Sequence, residues 1–298
     1  MAFLPRPVVV RVPATSANLG PGFDALGLAL TLYDEVEARV TDGGVTVEVT
    51  GEGAGELPGD ETHLVVRSMR RAFDELGEQP PGLALRCRNR IPQARGLGSS
   101  SAAIVAGIVL VRGLVEDGPA RMDDRAALAL ADAIEGHPDN VAPCLLGGFT
   151  IAWTENGGAA AVRREPAAGI RPVVFVPEER GLTEAARAAL PKTVPHADAA
   201  FNAGRAALLV HALAGDPGRL FAATEDRLHQ DYRAEGMPPT AGLVARLRAE
   251  GVAAVVSGAG PSVLAFGIDG WTPGPVPGWR VLPLDVDMTG ARLGSDLV

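Results

Sequence analysis

The stretch PQARGLGSSSA, residues 92–102, sets two glycines and three serines in a loop, and an apolar, alanine-rich run from Ala102 to Val115 follows it directly. A run of that length and composition predicts a largely buried helix. Glycines let backbone N–H groups approach an anion without side-chain hindrance. The start of a helix adds its dipole and unpaired donors, and serine hydroxyls reach phosphate oxygens or a metal ion. The same stretch also fits a serine-capped helix behind a flexible turn.

A Walker-type loop requires Gly-Lys-Ser or Gly-Lys-Thr, and Lys192 is the only lysine in the 298 residues, so that phosphate-transfer machine is excluded. A dinucleotide fingerprint requires a glycine or alanine where Ser101 stands, and Pro92 spoils the tight entry from a strand. A second segment, PATSANLGPGFDALGLAL (13–30), does place Gly20, Gly22 and Ala25 at dinucleotide spacing behind an apolar strand. Pro21 between the glycines and the crowding polar groups of Thr15, Ser16 and Asn18 count against that reading. So does the lack of an acidic residue closing a second parallel strand. The segment is then either an irregular surface loop or one that aims Asn18 and Asp24 at a polar ligand. A third segment, VVSGAGPSVLAF (255–266), reads as two short strands joined by Gly-Ala-Gly-Pro, a hairpin that needs no ligand to form. Three loops of the same chemistry in one chain nevertheless argue that some converge on a polyanionic ligand.

Composition narrows the classes. Hydrophobic residues make up 47% and charged ones 21%, enough apolar material for real cores and typical of a folded, soluble chain. The length favours two domains of roughly 150 residues each. A net charge of −9 opposes nucleic acid as a partner, which needs a basic face, but allows a local donor cluster for one small anion. Cys87 and Cys144 form no CxxC pair and have no neighbouring histidine at metal-ligand spacing, so neither a disulfide framework nor a zinc site is expected and a reducing cytoplasm fits. No apolar run approaches a membrane span, and prolines and arginines interrupt the N-terminal stretch, so neither a membrane partner nor a targeting segment is expected.

Along the chain, 6–12, 33–40, 45–49 and 83–90 carry strand patterns, and 62–76 carries a helical one stopped by Gly77. A second alanine-rich helix is expected from about Asp123 to Glu135, before Pro138 discourages continuation. A strand over 149–153 precedes the low-complexity stretch 155–169, where the domain boundary is placed. Beyond it come a strand over 172–176 and helices near 198–214, 217–228 and 240–250.

The three glycine-rich segments, in this order and at these separations, resemble the signature motifs of the GHMP kinases, the superfamily of galactokinase and of homoserine, mevalonate and phosphomevalonate kinases. The resemblance covers nearly the whole chain. Within the superfamily, PATSANLGPGFDALGLAL, EGHPDNVAPCLLGG (135–148), DAAFNAGR (198–205) and HQDYR (229–233) are similar to the homoserine-kinase branch. The resemblance implies an α+β fold of two domains. Residues 1–160 would form an ATP-binding domain of ribosomal protein S5 domain 2-like type, and residues 161–298 a ferredoxin-like domain closing over a cleft. It also implies ATP-dependent phosphorylation of the L-homoserine hydroxyl in threonine biosynthesis. Alternatives are a superfamily kinase acting on mevalonate, shikimate or a sugar, and a non-catalytic relative. Ser100, Glu135 and the glycine loop, intact together, argue against the last. A homodimer is compatible with the resemblance.

Residue by residue, the resemblance implies that Pro92, Gln93, Ala94, Arg95, Gly96, Leu97, Gly98, Ser99, Ser100, Ser101 and Ala102 wrap the ATP triphosphate. Ser100 and Glu135 would hold Mg2+, a hard cation that keeps few protein oxygens, and residues 62–65 would wall the adenine. Asn18, Asp24 and Asn140 would hold the amino and hydroxyl ends of the substrate, while Arg187 and Arg233 would grip its carboxylate with planar, two-bond geometry. Taken alone, the two arginines also fit surface ion pairs, Glu135 a solvated helix end, and His137 and His229 structural roles. In some superfamily members an aspartate near a lysine is thought to activate the hydroxyl. Here Asn140 aligns with that aspartate, and Lys192 has no evident reason to be nearby. The expectation is catalysis without a strong protein base, with Asn18, Asp24, Glu135 and Asn140 at the reacting centre and Asp139 as a weaker base candidate.

Overall fold

The computed structural model describes residues 3–181, 183–268 and 271–294. The chain opens with β1 (Val8–Ala17), β2 (Leu26–Thr41), β3 (Gly44–Gly51), α1 (Leu64–Leu76), β4 (Gly82–Asn89) and α2 (Ser99–Leu114). α3 (Gly118–Arg121), α4 (Asp124–Glu135) and α5 (Pro138–Leu146) follow, then the hairpin of β5 (Phe149–Glu155) and β6 (Gly158–Arg164). The second half holds β7 (Arg171–Pro177), α6 (Thr183–Ala188), α7 (His196–Ala214), α8 (Leu220–Ala223), α9 (Gln230–Arg233) and α10 (Pro238–Ala249). It ends with β8 (Ala253–Val256), β9 (Val263–Gly267), β10 (Trp279–Pro283) and β11 (Arg292–Gly294).

A seven-stranded sheet runs β11-β1-β2-β4-β3, with β5 paired to β2 and β6 to β5, and a four-stranded sheet runs β10-β7-β9-β8. β2 serves two neighbours on one side: Leu26–Leu28 pair with β5 and Glu35–Thr41 with β4. Pro13 cannot donate to a ladder, and the β1–β2 register shifts between Pro13 and Ala14. The rest of the first glycine-rich segment therefore divides between strand and turn. Residues 14–17 finish β1, 18–25 form the turn, and 26–30 begin β2.

α2 is the central helix, packed on α1, α4, α5 and β1. Ile104, Val105, Ile108, Leu110 and Val111 are buried on it, each such side chain contributing about 1.5–3 kcal/mol. That burial anchors the helix start, which is where the glycine loop ends. A second cluster, with Val173, Phe175, Leu243, Leu247 and Val263, lies between α10 and the smaller sheet. The larger core runs from Val8 to Phe266 and includes Val174, Leu209, Leu213 and Leu264, so apolar packing is continuous between the two sheets.

Several elements differ from the sequence pattern. α2 starts at Ser99, which brings all three serines into its first turn. Pro138 begins a helix, because a proline at the first position lacks only an N–H that has no partner there anyway. The low-complexity stretch 155–169 contains β6, turned back on β5 through Asn156 and Gly157, both at positive φ. The helix expected over 217–228 shrinks to a 3-10 turn (Pro217–Arg219) and α8. After them the Asp226 carboxylate accepts the backbone N–H groups of Leu228, His229 and Gln230 at 3.0, 3.1 and 2.8 Å, closing a turn in place of the helix. β11 returns to the first sheet and pairs with β1, from Val9↔Gly294 to Arg11↔Arg292.

Candidate active site

Gly96 and Gly98 sit at φ 70° and 68°. A Cβ at Gly96 would stand 2.2 Å from the Ser257 carbonyl oxygen, and one at Gly98 2.0 Å from Thr15 Oγ1. Both positions exclude a side chain because the other two glycine-rich segments press against the loop. Thr15 N–H donates to the Leu97 carbonyl at 3.1 Å and Gly258 N–H to that of Ala17 at 3.2 Å. The Ser257 hydroxyl lies 2.7 Å from the Gly96 carbonyl oxygen and 2.8 Å from Ser16 Oγ. The three segments thus meet around the N-terminus of α2.

Directly on that terminus, the hydroxyls of Ser100 and Ser101 donate to Glu135 Oε1 at 2.6 and 2.8 Å. Glu135 is the last residue of α4, which Gly136 ends in the left-handed conformation. Two hydroxyls and one carboxylate form a hard oxygen set. Among the described residues no group of three or more His, Cys, Asp or Glu could hold a metal alone. A cation here would need ligand oxygens as well, which is how Mg2+ binds with phosphates, so the donors fit it.

α5 brings the next residues in. Asp139 is buried, with His137 Nδ1 2.7 Å from its Oδ1, and this hydrogen bond holds His137 above the usual histidine range. Asn140 Oδ1 accepts from the Thr15 hydroxyl at 2.8 Å, leaving its amide NH2 without a protein partner among the described residues.

At the other end, Asn18 and Asp24 both adopt positive φ, 66° and 55°. Asn18 donates to the Gly258 carbonyl at 2.9 Å and accepts Asp24 N–H at 3.0 Å, so both ends of its amide fix the turn that presents Asp24. Arg187, on α6, meets Asp24 through two bonds of 2.7 and 3.1 Å, which raises its already high pKa. Arg233 is only 3% exposed, and no carboxylate among the described residues lies within ion-pair distance of it. Its Nε donates to the Ala186 carbonyl at 3.1 Å, and NH1 lies 3.1 Å from His229 Nδ1 and 3.4 Å from the Gly258 carbonyl oxygen. Burial, followed by repulsion from Arg187, lowers the Arg233 pKa. The two guanidinium carbons lie 5.8 and 5.4 Å from the Phe23 ring centre.

These groups line one cleft of about 420 Å³. It holds Asn18, Asp24, Gln93, Ala94, Arg95, Gly96, Gly98, Ser99, Ser100, Ala102, Glu135, Asn140, Arg187 and Arg233, with residues 62–65 on its wall. Three loop residues do not line it. Pro92 borders a separate surface hollow with Trp279 and Arg280, Leu97 is in the core, and Ser101 is fully buried beneath Glu135. Arg95 does line it, but its guanidinium binds the carbonyls of Gln93, Pro177 and Glu178. Lys192 is exposed and away from the cleft. Sequence reasoning missed Thr183, Asn89 and Asp34 in the lining; Asp34 is buried, which pushes its carboxyl up to about 6 although Ile91 and Arg90 donate to it. No local signal marks Asp34, whose partners lie 56 and 57 positions away.

A model of the family "GHMP kinases N terminal domain" matches residues 63–148, the span from the N-cap of α1 through the glycine loop, Glu135 and Asn140. A homoserine kinase of Streptomyces coelicolor is 63% identical over 265 residues, covering 89% of this chain and 86% of that protein. The chain belongs to the homoserine kinase family. Another homoserine kinase, from Leifsonia xyli, is 50% identical and spans 98% of this chain and 94% of its own. The solved homoserine kinase of Cytophaga hutchinsonii superposes with a TM-score of 0.80 at 26% identity, covering 98% of each chain. The solved mevalonate kinase of L. major, in complex with R-mevalonate, shares the fold at 15% identity and a TM-score of 0.63, covering 87% of each chain. As a member of the homoserine kinase family the chain is an ATP-using kinase with the mixed α and β fold of the GHMP kinases. Among the described residues no helix is long and apolar enough to cross a membrane.

Proposed function

We propose that this chain transfers the γ-phosphoryl group of ATP to the side-chain hydroxyl of L-homoserine, giving O-phospho-L-homoserine and ADP on the route to threonine. The observation that carries the reading is the charge pattern beside the α2 terminus, where Arg187 and Arg233 face the single carboxylate of Asp24. An amino-acid zwitterion matches that pattern. Its ammonium replaces Arg187 at Asp24, and its carboxylate takes Arg187 together with Arg233, so each ligand charge meets an opposite one. A sugar offers neither charge, and a hydroxy acid such as mevalonate offers a carboxylate to the arginines but no cation to Asp24.

The cleft-lining loop residues 93–96 and Gly98 and the first turn of α2 receive the triphosphate through backbone N–H groups and the helix dipole. Ser100 and Glu135 would hold Mg2+, which neutralises charge on the phosphate oxygens. The Asn140 amide orients the substrate hydroxyl. Asp139 is already bonded to His137, and the rate comes from positioning and electrostatic stabilisation rather than from a strong base. Asp139→Asn therefore retains a substantial share of kcat. Near-total loss, with fold and substrate binding intact, would assign Asp139 as the base.

An ADP-release assay with Mg·ATP tests the substrate, offering L-homoserine beside mevalonate, shikimate, galactose and L-serine. Turnover confined to L-homoserine is the expected result. Preference for any other acceptor overturns the proposal while leaving the family assignment intact.

A further inference from the structure

His229 is fully buried and belongs to none of the groups invoked for the reaction. Its ring is held on all sides. Nε2 lies 2.8 Å from the Gly20 carbonyl oxygen, Nδ1 lies 3.1 Å from Arg233 NH1, and the ring packs on Phe23 with centres 5.1 Å apart. A guanidinium has donors only, and a carbonyl oxygen only accepts. Nδ1 must therefore present its lone pair to Arg233 while Nε2 carries the proton toward Gly20. One tautomer satisfies both contacts, and the charged imidazolium satisfies neither the Arg233 bond nor the adjacent positive charge. Asp226 Oδ2 lies 3.7 Å from Nε2, but that carboxylate is engaged by three backbone N–H groups. Asp24 is the other carboxylate whose charge reaches the ring.

Apart from the Phe23 ring, Arg233 has no other side-chain partner, and no other side-chain hydrogen bond, among the described residues. Its remaining hydrogen bonds go to the backbone carbonyls of Ala186 and Gly258, and its NH2 group makes none among the described residues. The Gly258 carbonyl also takes the Asn18 amide, and Gly20 sits two residues after Asn18. The ring thus clamps Arg233 to the turn that presents Asp24.

We infer that His229, as its neutral Nε2–H tautomer, is a positioning residue that aims Arg233 at the substrate carboxylate. The inference rests on the reading of Arg233 given under the proposed function. It makes a buried neutral ring a determinant of amino-acid affinity. Its replacement weakens L-homoserine binding through Arg233 and leaves the ATP end unaffected.

Steady-state kinetics with His229→Leu, His229→Asn, Arg233→Ala and the double variant His229→Leu/Arg233→Ala test it. His229→Leu should raise KM for L-homoserine about tenfold, ~1.4 kcal/mol, with kcat and KM for ATP within about twofold. His229→Asn keeps an acceptor near the Nδ1 position and should recover most of that loss. In the Arg233→Ala background, His229→Leu should cost nothing more. Fully additive effects, or equal damage to the ATP and homoserine constants, overturn the inference. If Arg233→Ala leaves KM for L-homoserine unchanged, the reading of Arg233 fails. If Arg233→Ala raises KM but His229→Leu does not, only the role of His229 fails. Should the leucine variant not fold, imidazole 15N shifts of the wild-type chain decide. The one of its five histidines that disappears in His229→Asn should show a neutral Nε2–H tautomer. An Nδ1–H or charged ring refutes the clamp.

Discussion

At the phosphate end of the cleft, Gly96, Gly98 and the first turn of α2 are fixed by backbone contacts and by a helix whose body is buried. At the proposed amino-acid end, Asp24 and Arg187 depend on each other's charge, with Arg187 on α6, a helix with no buried residue. The first end is shaped before any ligand arrives. The second is closed on itself by the Asp24–Arg187 pair, and a ligand must offer charges equal to those it separates. On the proposed reading, selectivity against acceptors lacking one of the two charges would come from the exchange of ion pairs.

The contrast fails or sharpens under four measurements. Glu135→Gln removes the charge that the Ser100 and Ser101 hydroxyls point to. It should lower kcat by about 10²–10³ while KM for L-homoserine stays near wild type, as for removal of a preorganised electrostatic group. A comparable rise in both Michaelis constants would instead show the two ends to be one interlocked unit. Arg187→Ala should raise KM for L-homoserine by roughly 10–100-fold, in line with the ~1.5–3 kcal/mol of charged hydrogen bonds. Its KM for ATP should not move; if it does, α6 reaches the nucleotide.

Asp24→Asn is the more discriminating change. It should weaken L-homoserine binding roughly tenfold. It should also narrow the preference for L-homoserine over 4-hydroxybutyrate, which has the carboxylate and hydroxyl but no ammonium. An unchanged preference would place the ammonium elsewhere. The smallest effect concerns His137, whose folded pKa is raised chiefly by the hydrogen bond to Asp139. A raised histidine pKa gives stability that is complete below the unfolded value and lost as pH rises through the folded one. The Tm gap between wild type and His137→Asn should shrink as pH rises from the ordinary histidine value of about 6.5 through the raised folded one. A gap that widens with pH would contradict the charged pair.

What the sequence revealed divides along the same line. The glycine loop, its helix and the serines are neighbours in the chain, so their chemistry reads directly from 92–102. The amino-acid end is assembled from residues with no local relation: Asp24 and Arg187 are 163 positions apart, and Gly20 and His229 are 209 apart. Motif resemblance named Asp24, Arg187 and Arg233, but nothing local could show that two of them pair or that His229 holds the third. Asn18 illustrates a different limit. Its residue type suggested a ligand, and it does line the cleft, but nothing local showed that its left-handed backbone and doubly bonded amide also brace a turn. β6 was missed because alanines and arginines carry little strand signal, and its pairing with β5 supplies what composition does not. The helix ending at Glu135 before Pro138 was read correctly, but the next helix, which Pro138 begins, was not, since proline stops one helix and suits the start of the next.

The return of β11 to β1 bears on how the molecule is made. During synthesis β1 and β2 emerge early, whereas Arg292–Gly294 leave the ribosome among the last of the described residues. Until then the outer side of β1, which carries Val8, Val9 and Val10, stays an unpaired strand edge, a template for contact with another chain. Shortening the chain before residue 292 would leave every residue of the cleft in place and still expose that edge, so the first symptom of such a truncation should be aggregation rather than lost affinity.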